Sequence, residues 1–246
     1  MALAAKMAKL VRIAATGGLP WLWALRFGVA AGIEHARVLR SLGRVSTVVD
    51  IGANRGQFAL AARRCFPNAR IIAFEPLAGP ARVFERLFAS DSGVALHRTA
   101  VGSSSGEVLI HVSARDDSSS LLPITALQSH LFPGTAEAGT EKVQVGRLAD
   151  FIAGGDLTPP ALLKLDVQGF ELEALKGCED LLDRFAWVYA ECSFVELYQG
   201  QALGDEVIAW LRERGFALCG VYHTAYDGRG KAVQADFLFE NRGSGR

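Results

Sequence analysis

Residues 48–58 read VVDIGANRGQF, in which an apolar run is interrupted by an acid and a glycine follows two positions after it. The β-branched residues of this run are typical of a buried strand. The glycine, Gly52, permits a tight turn, and Gly56 begins a segment with helical periodicity. The stretch therefore predicts a buried strand that turns sharply into a helix.

The alternation of strand and helix continues towards the C-terminus. Strands are predicted over residues 69–76 (ARIIAFEP) and 94–102 (VALHRTAVG), with helices over 56–66 and 81–89 between the strands. This strand-helix-strand order predicts a parallel sheet with helices on both faces.

The second half of the chain repeats the pattern after a less regular middle. Residues 107–112 (EVLIHV) are predicted to form an extra strand, and residues 116–141 a long loop of the kind that often covers a binding site. The later predicted elements are strand 161–166 (ALLKLD), helix 170–182, strand 186–193 (AWVYAECS), helix 205–214, and strands 216–224 (FALCGVYHT) and 232–240 (AVQADFLFE). Asp227-Gly228 marks the turn that joins the last two strands as a hairpin.

The charge balance argues against a general nucleic-acid binder. Lys plus Arg and Asp plus Glu number 26 each in a chain of 246 residues, so the formal net charge is zero. Binding to nucleic-acid phosphates depends on a basic excess, which this composition lacks. The four cysteines form no Cys-x-x-Cys pair, so a structural zinc site is not expected either.

The first 41 residues are interpreted as an N-terminal helical arm, and residues 42–246 as one α/β domain. The arm is apolar, but its longest uncharged run, Ile13–Leu25, is too short to span a bilayer. The arm either packs on the domain or lies on a membrane surface through basic residues, Trp21 and Trp23. A signal peptide is a third interpretation, for which no clear cleavage site follows. We expect a cytoplasmic protein, peripheral at the inner membrane face if the second interpretation holds.

Three acids are expected to meet at one edge of the sheet. Asp50, Glu75 and Asp166 each lie at the C-terminal end of a predicted strand. Open α/β sheets bind ligands outside the carboxyl ends of their strands. Gly52 and Gly56 do not have the G-x-G-x-x-G spacing that holds a pyrophosphate, which opposes a dinucleotide such as NAD.

The same residues describe a site for S-adenosylmethionine, which carries an adenosine and an amine but no phosphate. Asp50 could meet the amine, and Glu75 lies 25 residues later, near the offset at which an acid accepts ribose hydroxyls. The closing hairpin agrees, because methyltransferases that use this cofactor insert an antiparallel last strand into a parallel sheet. The strand order is then expected to be 3-2-1-4-5-7-6. The alternative is an NAD-linked Rossmann oxidoreductase, which the missing glycine motif and the hairpin oppose.

Other polar residues near this edge are candidates for handling the proton of a methyl acceptor. Lys164 and Asp166 share one face of a strand, so they form either a buried ion pair or a base with its orienting partner. Glu171 shares a helix face with three apolar residues, which indicates an inward direction and either a function or a buried pairing with Lys164. Glu191 ends the next strand and joins the same edge.

The closing hairpin contributes two further candidates. His223 lies at the end of the sixth strand and is a candidate general base. Asp236 lies within the last strand, where a buried carboxylate needs a partner that the sequence does not identify.

The chain resembles the FkbM family of S-adenosylmethionine-dependent methyltransferases. The matching stretches occur in the family's order: VVDIGANRGQFAL, IIAFEPL, the AVG after the third strand, DDSSSLLP, LLKLDVQGFELEALKG, AECSFVELYQGQ and QADFLF. LKLDVQGFELEALKG is the most specific of them, and together they cover residues 45–239. The resemblance implies a class I methyltransferase fold, which is a seven-stranded, mostly parallel, Rossmann-like sheet, and O-methylation. Acceptors in the family include hydroxyls of sugars in glycolipids or polysaccharides, and of polyketides.

The resemblance also implies roles for individual residues. The loop on the methionine side of the cofactor is expected to contain Asp50, Gly52, Asn54 and Gly56. Glu75 is expected to hold the ribose, and Ala100 and Val101 to lie near the adenine. Asp166 is expected to face the reaction centre.

The acceptor, a metal requirement and the oligomeric state stay open at this point. Some proteins of related fold bind Mg²⁺ through carboxylates at this edge, where Asp166 and Glu191 could serve. No ligand pattern demands a metal, so none is expected. The acceptor is expected to be a small molecule, a sugar or a glycolipid. A third hypothesis is a non-catalytic membrane-associated protein that keeps the fold, and the hydrophobic arm is its main support.

Overall fold

The computed structural model describes residues 23–243. The strands are β1 Thr47–Ile51, β2 Arg70–Phe74, β3 Val94–His97, β4 Ala100–Val101, β5 Gly106–Ser113, β6 Glu137–Gly146, β7 Ala161–Leu165, β8 Phe185–Ser193, β9 Phe216–Tyr226 and β10 Ala232–Asn241. The α-helices discussed below are α1 Ala36–Ser41, α2 Gln57–Cys65, α3 Ala78–Leu87, α4 Ala126–Leu131, α5 Glu171–Gly177 and α6 Gly204–Glu213.

Seven strands form the main sheet, in the order β3-β2-β1-β7-β8-β10-β9. The numbers differ from the expected 3-2-1-4-5-7-6 because the strands of a second sheet, β4, β5 and β6, intervene in the chain. Counted in chain order within the main sheet, its strands have the expected arrangement. The α/β class with a mostly parallel seven-stranded sheet is confirmed.

The strand pairing brings the predicted acids to one edge. β1 runs parallel to β2 on one side and to β7 on the other, with Asp50 opposite Lys164. β8 runs parallel to β7, whereas β10 is antiparallel to both β8 and β9. Because β1, β2, β7 and β8 point the same way, their carboxyl ends lie side by side.

Alternation along the central strands divides the core into two layers. Val49 and Leu163 belong to the layer that includes Leu175 of α5. Val48 and Leu162 belong to the layer that includes Phe58 of α2. Successive residues of a strand point to opposite faces, so both faces of this sheet are covered, as expected for parallel strands.

The middle of the chain differs from its prediction. The strand expected over residues 94–102 is divided, since β3 ends at His97 and β4 pairs with β6 in the second sheet. The loop expected over residues 116–141 contains a 3-10 turn, α4 and the start of β6. β5 and β6 pair along most of their length, and Ile110 and Val143 pack on Leu77. The pairing of β5 with β6 explains why this region has regular structure, which its loop-like composition did not indicate.

The helix expected over residues 170–182 also has different bounds. α5 ends at Gly177, and a 3-10 helix continues over Glu179–Arg184. Gly177 packs so closely on the backbone of Gly102 that a Cβ atom there would collide with the Gly102 carbonyl oxygen.

The described part of the N-terminal arm packs on the domain. Ala24, Val29 and Ile33 form a buried cluster with Leu60 of α2 and Leu87 of α3. Of the two tryptophans of the membrane-anchor interpretation, Trp23 is exposed, and Trp21 lies outside the described residues. Within residues 23–243, no helix combines the length and apolarity needed to cross a bilayer. The division at residue 41 stays a prediction.

Replacing Gly177 by Ala tests the close approach of α5 to Gly102. Overpacking of this kind typically costs about 1–3 kcal/mol, so we expect the free energy of unfolding in urea to fall by that amount. The matched control is Gly79→Ala in α3, where an added Cβ meets no atom within 4 Å. A control value unchanged or raised by up to about 1 kcal/mol is expected. Equal stability of the two variants would contradict the close packing.

Candidate active site

A cleft of about 450 Å³ opens at the carboxyl edge of the main sheet. It lies between the ends of the central strands, the 3-10 turn at Asp116–Ser118, α4 and the segment before α1. Its acidic lining residues are Glu34, Asp50, Glu75, Asp116, Asp117, Asp166 and Glu191. Its lysine and arginine lining residues are Lys164 and Arg115. The cleft therefore suits a cationic ligand better than a phosphate-bearing one.

The turn between β1 and α2 forms one wall of this cleft. Gly52 has a φ of 79°, and its backbone is so close to that of Asp166 that a Cβ atom would collide with the Asp166 carbonyl. Gly56 has a φ of 93°, and Asn54 one of 46°. Left-handed backbone at these positions lets the chain reverse within a few residues, which explains why glycine is needed at two of them.

Asp50 is buried, and one of its oxygens has no partner in the described structure. Only 1% of its surface is exposed, and Oδ2 accepts no hydrogen bond. Burial raises the pKa of Asp50 to about 7; Lys164 opposes this rise and Asp166 adds to it. A buried carboxylate that lines a cleft and lacks a donor is suited to receive an amine from a ligand.

Glu75 is held by the backbone around it. Its Oε2 accepts from the Asn54 N–H at 2.9 Å, and its Oε1 accepts from the Leu77 N–H at 2.8 Å. Burial raises its pKa to about 7, and these two hydrogen bonds act in the opposite direction. Each carboxylate oxygen has a second lone pair, so Glu75 can still accept ribose hydroxyls in the cleft. Ala100 and Val101 are buried and line the same cleft.

Lys164 is a fully buried cation on β7. Its Nζ donates to the Leu165 carbonyl at 3.0 Å and lies 3.5 Å from Oδ2 of Asp166. The ring centroids of Phe58 and Tyr189 lie 5.6 Å and 5.7 Å from Nζ. Burial lowers the pKa of Lys164, but the surrounding carboxylates outweigh burial and raise it above its usual value. The predicted ion pair with Asp166 is therefore present in the structure.

A glutamine that the sequence analysis did not single out connects two of the candidate acids. Gln168 Nε2 donates to Oδ1 of Asp166 at 2.7 Å and to Oε2 of Glu191 at 3.1 Å. Gln234 Nε2 donates to the other oxygen of Glu191 at 2.9 Å. Gln168 has a φ of 55° and accepts from the Tyr198 hydroxyl at 2.7 Å. Its place two residues after the predicted strand-ending acid Asp166 was the available signal.

Asp166 and Glu191 are both partly buried at this edge. The side chain of Asp166 is 39% exposed and faces the cleft. Glu191 is partly buried, and this burial raises its pKa well above the usual value, with further contributions from Asp166 and Asp236. The amide of Gln168 lies between the two carboxylates that a Mg²⁺ ion at this edge would use.

Glu171 points inward, as its helical periodicity predicts, but it does not pair with Lys164. Its Oε1 accepts from the backbone N–H groups of Val167 and Gly169, both at 3.2 Å. Of the two alternatives for Glu171, the buried pairing with Lys164 is not formed, because the turn that precedes α5 presents its own N–H groups to this carboxyl. Burial raises the pKa of Glu171 to about 7. Glu171 therefore stabilises the turn that carries Asp166.

The partner of Asp236 that the sequence could not identify is a cluster of three side chains. Asp236 Oδ2 accepts from the Tyr189 hydroxyl at 2.9 Å and lies 2.7 Å from Nδ1 of His223. His35 joins them from the segment before α1, with Nδ1 3.5 Å from the same oxygen. His35 also lines the cleft. No sequence signal connects it to the other three, because they come from distant parts of the chain.

A mostly parallel sheet with acids at its strand ends and no phosphate-binding glycine motif is the arrangement of a class I methyltransferase. The chain matches the family described as "Methyltransferase FkbM domain" over residues 50–218, which is more than half of its length. The chain belongs to the FkbM methyltransferase family.

Individual relatives agree with this assignment. Methyltransferase sdnD of Sordaria araneosa is 28% identical over 208 residues, which cover 74% of this chain and 78% of that protein. The 2-O-methyltransferase NoeI of Sinorhizobium fredii is 27% identical over 175 residues, covering 68% and 72%. The hexuronic acid methyltransferase AglP of Haloferax volcanii is 28% identical over 143 residues, covering 58% and 54%.

The protein is therefore a methyltransferase, and S-adenosylmethionine is its cofactor. Two observations of the structure fit this cofactor. The acids of the cleft outnumber its lysine and arginine side chains, which suits a sulfonium and an ammonium. The unpartnered Oδ2 of Asp50 provides an acceptor for the amine.

Replacing Glu171 by Gln tests its structural role. In the folded protein the Glu171 pKa is about 7, whereas an unfolded glutamate has its ordinary value near 4.5. The folded state therefore binds more protons between these values, and its stability is lost as the pH rises through 7. Gln keeps an acceptor oxygen but does not titrate. We expect the loss of unfolding free energy between pH 5 and pH 8 to shrink by on the order of 2–3 kcal/mol.

Urea unfolding at pH 5 and pH 8 measures this difference. Asp50 and Glu75 titrate in the same window, so the slope is expected to flatten only in part. The exposed Glu213→Gln is the matched control and is expected to keep the wild-type slope. If the Glu171 variant also keeps that slope, Glu171 is not the buried, proton-binding group described here.

Proposed function

We propose that the protein transfers a methyl group from S-adenosylmethionine to a hydroxyl of a sugar, glycolipid or other natural product. The observation that carries this proposal is Asp166, a partly exposed carboxylate that faces the cleft beside the buried Lys164. Two relatives support the acceptor class by name, since one is a 2-O-methyltransferase and the other a hexuronic acid methyltransferase. The zero net charge continues to favour a small acceptor over a nucleic acid.

We assign the cofactor contacts from the geometry of the cleft. Asp50 receives the amine through its unpartnered oxygen, and Glu75 accepts the ribose hydroxyls. The turn that contains Gly52, Asn54 and Gly56 approaches the methionine part, since two of these positions carry no side chain. Ala100 and Val101, both apolar and buried at the cleft wall, lie against the adenine.

The bound cofactor supplies a methyl group on a sulfonium, which is already a good leaving group. The protein must align the acceptor oxygen with this methyl carbon and remove the hydroxyl proton. The new bond joins oxygen to the methyl carbon, the sulfur–carbon bond breaks, and the proton passes to Asp166. Lys164 fixes the position of the Asp166 carboxylate through their 3.5 Å contact.

The other predicted catalytic residues act through Asp166. Gln168 joins Asp166 to Glu191, so Glu191 orients the edge without contacting the acceptor. Glu171 holds the turn that carries Asp166. Lys164, Glu171 and Glu191 are thus positioning residues.

The acceptor enters from the side of the cleft that is covered by a lid, which runs on from the 3-10 turn through α4 to Thr135. This lid comprises the 3-10 turn at Asp116–Ser118, the segment after it and α4. Gln128, Phe132 and Thr135 line the cleft from this side and offer amide, aromatic and hydroxyl groups. This mixture of an apolar ring with hydrogen-bonding groups is suited to a polar ring with several hydroxyls.

Replacing Asp50 tests cofactor binding. Since its pKa in the free protein is about 7, the fraction of ionised Asp50 grows about tenfold from pH 6 to pH 8. We expect the affinity for S-adenosylmethionine, measured by calorimetry, to rise by a similar factor over this range. Asp50→Asn is expected to weaken binding at least tenfold at pH 8 and to flatten the pH profile. The control is the exposed Glu107→Gln.

Replacing Glu75 by Gln is expected to weaken binding by a comparable factor at pH 8. Because the pKa of Glu75 is also about 7, this change is expected to reduce the pH dependence of binding and to leave the part that Asp50 causes. An intact protein that does not bind the cofactor at any of these pH values would overturn the proposed site.

Replacing Asp166 by Asn tests the transfer step. General bases contribute roughly 10²–10⁴-fold, so we expect kcat to fall at least about a hundredfold while the cofactor Kd changes only a few-fold. Mass spectrometry measures transfer of an isotope-labelled methyl group to hexuronic acids, hexoses and glycans that contain them, with Asp205→Asn as the control. Wild-type protein that binds the cofactor but methylates no hydroxyl would favour the non-catalytic alternative.

A further inference from the structure

Four side chains meet behind the wall of the cleft, outside the residues assigned to methyl transfer. His35 comes from the 3-10 turn before α1, Tyr189 from β8, His223 from β9 and Asp236 from β10. Tyr189 and Asp236 are buried, whereas the side chains of His35 and His223 are 17% and 34% exposed. The two histidines lie outside the stretches that carry the family resemblance, whereas Asp236 lies within one of them, QADFLF.

The distances between their polar atoms are those of a ligand cage. Asp236 Oδ2 lies 2.7 Å from His223 Nδ1 and 3.5 Å from His35 Nδ1. The Tyr189 hydroxyl lies 2.9 Å from the same Oδ2, 3.1 Å from His35 Nδ1 and 3.3 Å from His223 Nδ1. Ligands about 2.0–2.1 Å from a tetrahedral zinc ion are separated by roughly 3.3–3.4 Å, which lies within the observed range.

The orientation of His223 leaves a ring nitrogen facing the carboxylate. Its Nε2 lies 3.1 Å from the Glu34 carbonyl oxygen, which can only accept, so Nε2–H donates there. In the neutral ring Nδ1 then carries a lone pair, and it faces an Asp236 oxygen 2.7 Å away. Two acceptors at this distance need a positive species between them. A backbone carbonyl that fixes the other ring nitrogen is also the usual outer contact of a metal-binding histidine.

The backbone at His223 is strained in a way that serves this arrangement. His223 has a φ of 49°, in the left-handed region that non-glycine residues rarely adopt. The register between β9 and β10 also shifts next to Asp236. Such strain costs on the order of 1–3 kcal/mol and is found mainly at functional sites.

The nearby charges allow a cation at this place. Asp236 supplies a carboxylate, and Lys164 is the buried cation that opposes a second positive charge. Lys164 Nζ is directed to Asp166 and to the Leu165 carbonyl, which reduces this opposition.

We infer that His35, His223 and Asp236 hold a divalent transition-metal ion, with the Tyr189 hydroxyl beside it. Two imidazoles and one carboxylate suit zinc, cobalt or iron, whereas magnesium and calcium prefer sites made of oxygen alone. The ion ties the N-terminal segment to the last two strands. Because His35 lines the cleft, the ion lies directly behind the cleft wall.

Cobalt(II) tests this site directly, since it replaces zinc and its visible absorption reports coordination. We expect the full-length protein, freed of metal by dialysis against a chelator, to bind one equivalent of cobalt and to show the intense bands of a tetrahedral ion. Zinc is expected to displace it. His35→Ala and His223→Ala are each expected to weaken zinc binding at least a hundredfold. His130→Ala, at an exposed histidine of α4, is expected to bind like wild type.

Circular dichroism identifies a variant that fails to fold, in which case His35→Gln and His223→Gln replace the alanine variants. Wild-type protein without these bands, or variants that bind zinc as tightly as wild type, would overturn the site. The cluster would then be a hydrogen-bond network held by a proton on His223. The readout is metal binding alone, so it stands or falls separately from cofactor binding and methyl transfer.

Discussion

The buried ammonium of Lys164 is the constraint on which the rest of the site depends. It lies on a central strand with 1% of its surface exposed, where an unpaired cation would cost several kcal/mol. Four carboxyl groups raise the pKa of Lys164 against this burial, and Asp166 contributes most; the others are Asp236, Glu191 and Asp50. They belong to four strands of the main sheet or to the residues directly after them, so the sheet topology brings them together. The ion cluster and the fold therefore depend on each other.

The acids around Lys164 outnumber it, so they cannot all be ionised in one buried volume. Burial raises the pKa of Asp50 to about 7 and that of Glu191 well above its usual value, whereas Asp166 lies partly in solvent beside the ammonium. A cofactor with a sulfonium and an ammonium brings the positive charge that the cleft lacks. In the proposed reaction, transfer of the methyl group removes the sulfonium charge and the acceptor proton passes to Asp166, so the total charge of the cleft stays constant.

Local patterns in the sequence predicted the sheet and the edge at which the acids meet, whereas the strand order followed from the likeness to methyltransferases that use S-adenosylmethionine. They succeed because strand ends and helix faces depend on a few neighbouring residues, as for the inward direction of Glu171. They did not predict the second sheet, in which β4 pairs with a strand about 45 residues later. They also missed the contacts of Gln168 and the cluster of His35 with Asp236. The contacts of the cluster join distant segments, for which a single sequence carries no signal, whereas the position of Gln168 two residues after Asp166 was an available signal.

The free energy of unfolding of Lys164→Met tests the central claim most directly. Methionine keeps much of the volume but removes the charge, so the carboxyl groups lose their buried partner. The account predicts a loss of about 3–5 kcal/mol in urea unfolding at pH 7.5, as is typical when one member of a buried ion pair is removed. The control, Lys142→Met, removes a lysine with a 71% exposed side chain, and less than about 1 kcal/mol is expected. Equal stability of the two variants would contradict the account.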